Sequence, residues 1–226
     1  MTGQEMAELQ PLTTFVVDVR PQVRRTTFDV RPAPAAPPVA QLVKHRPLNR
    51  PASYELFTGP GLAVPAGRLS ESGALDADGR PVGVVNLTGG KYEDARVNPL
   101  NGAFHTYTES NPTRWHVVQP GLPRLAGRPA SRASRMAYNK VTDVLGKVGY
   151  DIKGTWLGAM AFTYGAPGCD GFTVSLGRRG RFDVTVHDSR VDRRLVLACV
   201  TAVAHTELDS IRAEGVSMLT FGGGRR

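Results

Sequence analysis

Arg181–Leu208, RFDVTVHDSRVDRRLVLACVTAVAHTEL, is the stretch that decides the fold of this chain. Phe182, Val184 and Val186 alternate with Asp183, Thr185 and His187, the period-two pattern of a strand with one wet face. A turn of acidic and basic residues follows. Then comes Leu195–Ala204, which holds one hydroxyl (Thr201), one thiol (Cys199) and no charge. At helical spacing this run has no polar face, so Leu195, Leu197, Cys199, Val200 and Val203 need protein on every side. Ten helical residues rise only ~15 Å against a hydrocarbon core of ~30 Å, so the run is too short to span a membrane. The expectation is a helix over residues 192–212, encased by the rest of the chain. Asp192 suits its cap or first turn, and Arg190, Arg193 and Arg194 are expected to pair with Asp188 and Asp192.

Upstream, turn signals recur at short intervals. Tyr54–Thr58, Gly67–Ser72, Pro81–Leu87, Trp115–Gln119 and Phe172–Leu176 read as strands, and Asn101-Gly102 reads as a hairpin turn between Ala95–Leu100 and Ala103–Glu109. Lys140–Lys147 reads as a short helix or strand, and Asp151–Tyr164 as one or two buried strands. Regular strand spacing means a sandwich or a barrel. Sheets ~10 Å apart in a sandwich cannot take in a helix ~10 Å across, whereas a wide barrel can. The fold class is therefore mostly β: a β-barrel of about twelve strands enclosing a central hydrophobic C-terminal helix. It is expected over residues 51–214, followed by a flexible Gly/Arg tail over 215–226. Residues 1–50 read as an extended arm, because Val30–Ala40 (VRPAPAAPPVA) favours polyproline II. Thr14–Val19 and Arg25–Val30 alternate there as short strands or docking segments, and the arm offers a contact for a protein partner.

These residues resemble the tubby C-terminal-like superfamily, which includes the phospholipid scramblases and the plant LURP-one-related proteins. The likeness rests on Asp76–Gly83 (DADGRPVG), on the strand RFDVTVHD and on RRLVLACVTAVAHTEL, and it spans roughly Tyr54–Leu208. It implies a barrel threaded by a hydrophobic helix and a module that binds phosphoinositide or other phospholipid headgroups through a basic surface. The calcium-binding and palmitoylated segments of scramblases have no counterpart here, so the resemblance does not extend to scrambling. No motif aligns across the tubby phosphoinositide pocket.

The charge balance points the same way. The formal net charge is +8 and the isoelectric point about 9.9, which favours phosphate-bearing partners. Arg114, Arg124, Arg128, Arg132, Arg135 and Lys140 follow one another with no acidic residue between them. A guanidinium fork matches phosphate oxygens bidentately. Gly127–Lys140 reads as a mobile Ser/Ala-rich connector that lets such forks converge. Arg178, Arg179 and Arg181 form a second cluster at a hairpin tip. The candidate anion-binding residues are thus Arg124, Arg128, Arg132, Arg135, Lys140, Arg178, Arg179 and Arg181. The aromatic residues are spread without a basic–aromatic motif, which argues against nucleic acid.

Catalytic signals are weak. No G-x-S-x-G, P-loop or H-E-x-x-H occurs, and Gly89-Gly90-Lys91 lacks the P-loop spacing. His105, His116 and His187 lie on expected strands and could converge inside a barrel, but no metal spacing supports a site. The reading leans away from an enzyme and assigns no catalytic residue, cofactor or metal. Cys199 reads as a buried small hydrophobe, and Cys169 sits in a turn that could expose it. Met1–Leu12 lacks the apolar stretch of a signal peptide, and no apolar window is long enough to span a bilayer. A cytoplasmic protein, free or peripherally attached at the membrane, is expected.

Overall fold

The alternation read at Phe182–Val186 recurs in strand after strand of the described residues. The computed structural model describes residues 6–21, 25–45, 53–70, 72–86, 93–97, 104–108, 115–137, 160–177 and 181–204. The strands are β1 (Thr14–Pro21), β2 (Arg25–Arg31), β3 (Ala40–His45), β4 (Ser53–Thr58), β5 (Val64–Ser70), β6 (Gly73–Leu75) and β7 (Pro81–Asn86). Then follow β8 (Glu93–Val97), β9 (Phe104–Thr108), β10 (His116–Val118), β11 (Leu125–Pro129), β12 (Met160–Ala166), β13 (Cys169–Leu176) and β14 (Arg181–Val186). Twelve of them close a barrel in the order β1-β14-β13-β12-β11-β10-β7-β6-β5-β4-β3-β2, and β8 pairs with β9 as a separate two-stranded sheet. Every pairing is antiparallel.

Inward positions on successive strands are apolar and buried: Phe15 and Val17, Phe28 and Val30, Leu42, Tyr54 and Leu56, Leu69, Val85, Val117, Phe162, Val174, and Val184. They surround helix α2 (residues 193–204), whose residues from Leu195 to Ala204 are at most 4% exposed. Each fully buried aliphatic side chain contributes about 1.5–3 kcal/mol, so an apolar circumference stabilises this helix only where a wall surrounds it. Leu195, Leu197, Cys199, Val200 and Val203 are all in that core, and the expected mostly-β barrel with a central helix is the observed architecture. Gly83 makes room for it: a Cβ there would stand 2.7 Å from Cδ1 of Leu195 and 2.4 Å from the Val118 carbonyl oxygen.

The N-terminal arm is corrected. Residues 14–45, expected outside the barrel, supply β1, β2 and β3, and β1 closes the ring by pairing with β14, Phe15 opposite Val184 and Val17 opposite Phe182. The alternation in Thr14–Val19 thus serves a strand buried on its inner face. The prolines sit in the exposed β2–β3 connection, folded back by the Arg31 guanidinium donating to the Ala36 carbonyl at 2.7 Å. A second correction concerns Gly127–Lys140. Its described part completes β11 and forms helix α1 (Arg132–Ala137) instead of a mobile connector. Lys140–Lys147, the tail and the helix beyond residue 204 lie outside the described residues.

Candidate anion-binding surface

At the near mouth, where α2 begins, the chain reverses through residues 32–39, 59–63, 119–123 and 167–168, none of which carries a charge, and through 76–80, which carries Asp76, Asp78 and Arg80. Asp192 caps α2, its Oδ1 accepting from the Arg194 amide at 2.8 Å, while Gln119 and Gln10 accept from the amides of Asp192 and Arg193. Arg190 and Arg194 pair with Asp188 and Asp192 at 2.6 and 2.7 Å, as expected. Arg193 is different. It is 0% exposed and donates to the backbone carbonyls of Leu12 at 2.7 Å and of Val191, so its charge is held by carbonyl dipoles. Burial pushes its guanidinium down in pKa, against the pull of Asp192 and Asp188. Gln10 also donates to the carbonyls of Ser189 and Val191, and Met6 and Leu9 are buried. Residues 6–12 therefore plug this mouth.

Basic side chains gather toward the far mouth. β11 runs to it, and Arg128 projects outward there, opposite Thr163 of β12. Next come Arg132 and Arg135 on α1, both exposed. What fixes α1 is a reciprocal pair of serines. The Ser134 amide donates to Ser131 Oγ at 3.0 Å, and the Ser131 amide donates to Ser134 Oγ at 2.9 Å. The Ser134 hydroxyl, fully buried, donates to the Ala161 carbonyl of β12 at 2.8 Å. This is capping-box logic with serine in place of the usual glutamate, and it was readable in Ser131-Arg132-Ala133-Ser134. Arg128, Arg132 and Arg135 have no ion-pair partner among the described residues.

The remaining candidates separate. Arg124 lies at the near mouth, with Nη2 2.9 Å from His116 Nδ1. Arg181 begins β14 and pairs with Asp18 at 3.0 Å, so closure of the barrel takes it out of the expected tip cluster. Around that seam Arg20, Arg31 and Arg181 interleave with Asp18 and Asp29, and Asp29 is only 3% exposed. Lys140, Arg178 and Arg179 lie outside the described residues. One signal that would have linked two arginines is an internal repeat. Pro60-Gly61-Leu62 with Ala66-Gly67-Arg68 recurs as Pro120-Gly121-Leu122 with Ala126-Gly127-Arg128 at the same spacing.

His116 and His187 do not converge. His116 stands on the outer wall beside Arg124, whereas His187 has Nε2 3.0 Å from Thr173 Oγ1, itself 3.2 Å from Thr163 Oγ1. The His105 side chain lies outside the described residues. Among the described residues no group of three or more His, Cys, Asp or Glu is arranged to hold a metal. Cys169, expected to be exposable, is 2% exposed, and desolvation together with the neighbouring Asp188 carboxylate pushes its thiol up. Such a thiol is a poor nucleophile at neutral pH. No described helix is long and apolar enough to cross a membrane. Comparisons with protein-family models, with curated proteins and with solved structures returned no match for this chain.

Proposed function

We propose that this protein is a non-catalytic module that binds anionic phospholipid headgroups. One observation carries the reading: Arg128, Arg132 and Arg135 are exposed and free of described carboxylates on a strand–helix unit tied to the barrel through Ser134. Elsewhere Arg20, Arg31, Arg80, Arg181, Arg190 and Arg194 each have a carboxylate within 4 Å, whereas Arg25, Arg68 and Arg124 have no ion-pair partner among the described residues. Exposed guanidinium groups without a described carboxylate partner are open to phosphate oxygens, which they match bidentately. The barrel's interior is occupied by its own helix, so recognition belongs to its outer surface.

Flotation with phosphatidylserine-containing and pure phosphatidylcholine vesicles tests this. Binding is expected only to the anionic vesicles, weakening steeply between low and physiological salt. Replacing Arg128, Arg132 and Arg135 together with alanine should abolish it. Equal recovery with both vesicle types, or none at low salt, would overturn the proposal.

A further inference from the structure

We infer that Ser131 is a phosphorylation site, and that a phosphate there releases the protein from anionic membranes by engaging Arg128, Arg132 and Arg135 itself. This rests on the phospholipid reading above and adds to it a covalent off-switch at the same residues. The modifying partner is a serine/threonine kinase that selects arginine three residues before its target, with a nucleoside triphosphate as phosphoryl donor. Ser131 Oγ attacks the γ-phosphorus, the bond from that phosphorus to the leaving nucleoside diphosphate breaks, and the hydroxyl proton passes to the kinase's base.

Sequence narrows the choice to three positions. Thr27, Ser53 and Ser131 are the serines and threonines that stand three places after an arginine. Thr27 is 7% exposed and lies within β2, between β1 and β3. Ser53 opens β4 and is exposed, but Arg50 before it lies outside the described residues. Ser131 alone also has arginines one and four places after it. It is partly exposed and lies outside the sheet, between the end of β11 and α1. Its Oγ accepts from the Ser134 amide at 3.0 Å, and its carbonyl accepts from the Arg135 amide at 2.9 Å. Both bonds are to the six-residue α1, so local opening of that helix presents Ser131 to a kinase without disturbing a strand.

Geometry then decides what the phosphate does. Arg135 curls back along α1, its Nη2 donating to the Ala130 carbonyl at 3.2 Å, and that carbonyl belongs to the peptide bond just before Ser131. The guanidinium therefore already lies beside the residue to be modified. Arg132 adjoins Ser131 in the chain and Arg128 precedes it by three residues; both are exposed. None of the three has an ion-pair partner among the described residues. A phosphoserine carries close to two negative charges and three acceptor oxygens, which guanidinium forks match bidentately. Held on the chain, it competes with a lipid headgroup as a tethered ligand, at an effective concentration on the order of millimolar. It cancels about two of the three guanidinium charges. The modified Ser131 still offers oxygens to the Ser134 amide, so α1 keeps its cap while the charge is lost.

The test uses the full chain and vesicles of phosphatidylserine with phosphatidylcholine. Protein treated with ATP and a kinase of that selectivity is mapped by mass spectrometry, and phosphate is expected at Ser131. Each basic residue near such a surface is worth roughly fivefold in partitioning, so the phosphorylated protein should bind roughly thirtyfold more weakly. S131D adds a single charge and should bind roughly fivefold more weakly. S131N caps a helix as well as aspartate does but is neutral, so it should bind as the unsubstituted protein does. Thermal melts check that both variants are folded. If the unsubstituted protein fails to bind, the phospholipid reading falls and the switch with it. If it binds but Ser131 takes up no phosphate, the modification site falls and the reading stands. If the phosphorylated protein binds as tightly as the unmodified one, or S131D binds like S131N, the release falls and the reading stands.

Discussion

Replacing Ser134 with alanine removes no charge, yet it should weaken membrane binding. The hydroxyl is fully buried, donates to the Ala161 carbonyl at 2.8 Å and accepts from the Ser131 amide at 2.9 Å. Ala161 keeps a donor after the change, because the Ala130 amide reaches its carbonyl at 2.7 Å. The Ser131 amide loses the acceptor that Ser134 gave it. One lost bond at about 1 kcal/mol and a poorly satisfied amide at about 1 kcal/mol or more give a local cost of about 2 kcal/mol. That cost falls on a six-residue helix, so it should appear as local opening of α1 and leave the barrel intact. Hydrogen exchange at the Arg135 amide, which donates to the Ser131 carbonyl at 2.9 Å, should quicken by about thirtyfold. Amides of β12 and β13 should keep their protection. Vesicle affinity should drop with the loosened helix, because Arg132 and Arg135 then lose their common orientation. Unchanged exchange at Arg135 would refute the anchoring argument. Faster exchange with full vesicle affinity would show that charge alone suffices and that the position of α1 is irrelevant to binding.

Three further outcomes follow from the same geometry. G83A drives a Cβ to within 2.7 Å of Leu195 Cδ1 and 2.4 Å of the Val118 carbonyl, so it should cost about 1–3 kcal/mol and lower Tm by about 2–4 °C per kcal/mol in calorimetry. Q10A removes the bonds that join residues 6–12 to Ser189, Val191 and Arg193; limited proteolysis should then clip the N-terminal segment well before the barrel, whereas unsubstituted protein resists. Asp188 is held well below the usual carboxylate range, chiefly by its hydrogen bonds from Arg190. A depressed pKa gives stability that is full above the unfolded value near 4 and is lost as pH falls below it. Urea midpoints of the unsubstituted protein should therefore converge on those of D188N between pH 5 and pH 2.

The helix was legible because an apolar run without a polar face has one physical meaning, enclosure, and a barrel was the enclosure whose dimensions fit. Strands β4, β7, β10, β13 and β14 were legible from alternation between turn residues. Closure was not. β1 pairs with β14, and the Asp18–Arg181 contact joins residues 163 positions apart. Sequence presents Thr14–Val19 as a short alternating run beside a proline-rich stretch, and nothing local states that its partner is the last strand of the chain. The same distance hid the fate of Arg181 and the absence of a carboxylate from Arg193, whose bonds go to a segment near the N-terminus. α1 was missed for the opposite reason. Its signal is wholly local, two serines three residues apart, but too short to show an apolar period.

A barrel whose lumen is taken by its own helix must recognise partners with its rims and outer walls. At the near mouth Arg190, Arg193 and Arg194 are spent on structure. Arg190 and Arg194 hold the turn and cap of α2, and Arg193 fastens the N-terminal plug. Toward the far mouth Arg25 on β2, Arg128 on β11 and Arg132 and Arg135 on α1 have no ion-pair partner among the described residues, and Arg68 on β5 faces Glu55 across the β4–β5 pair. The stretch Arg114–Lys140 looked like one continuous basic patch, yet topology sends Arg124 to one end of the barrel and Arg128 to the other, four residues being enough to traverse the wall. Conversely Arg25, Arg68 and Arg128, far apart in sequence, all lie in the far-mouth part of their strands. Charge that is contiguous in sequence and charge that can touch one surface are therefore different sets in an antiparallel barrel, because each strand reverses the end to which its last residue is delivered.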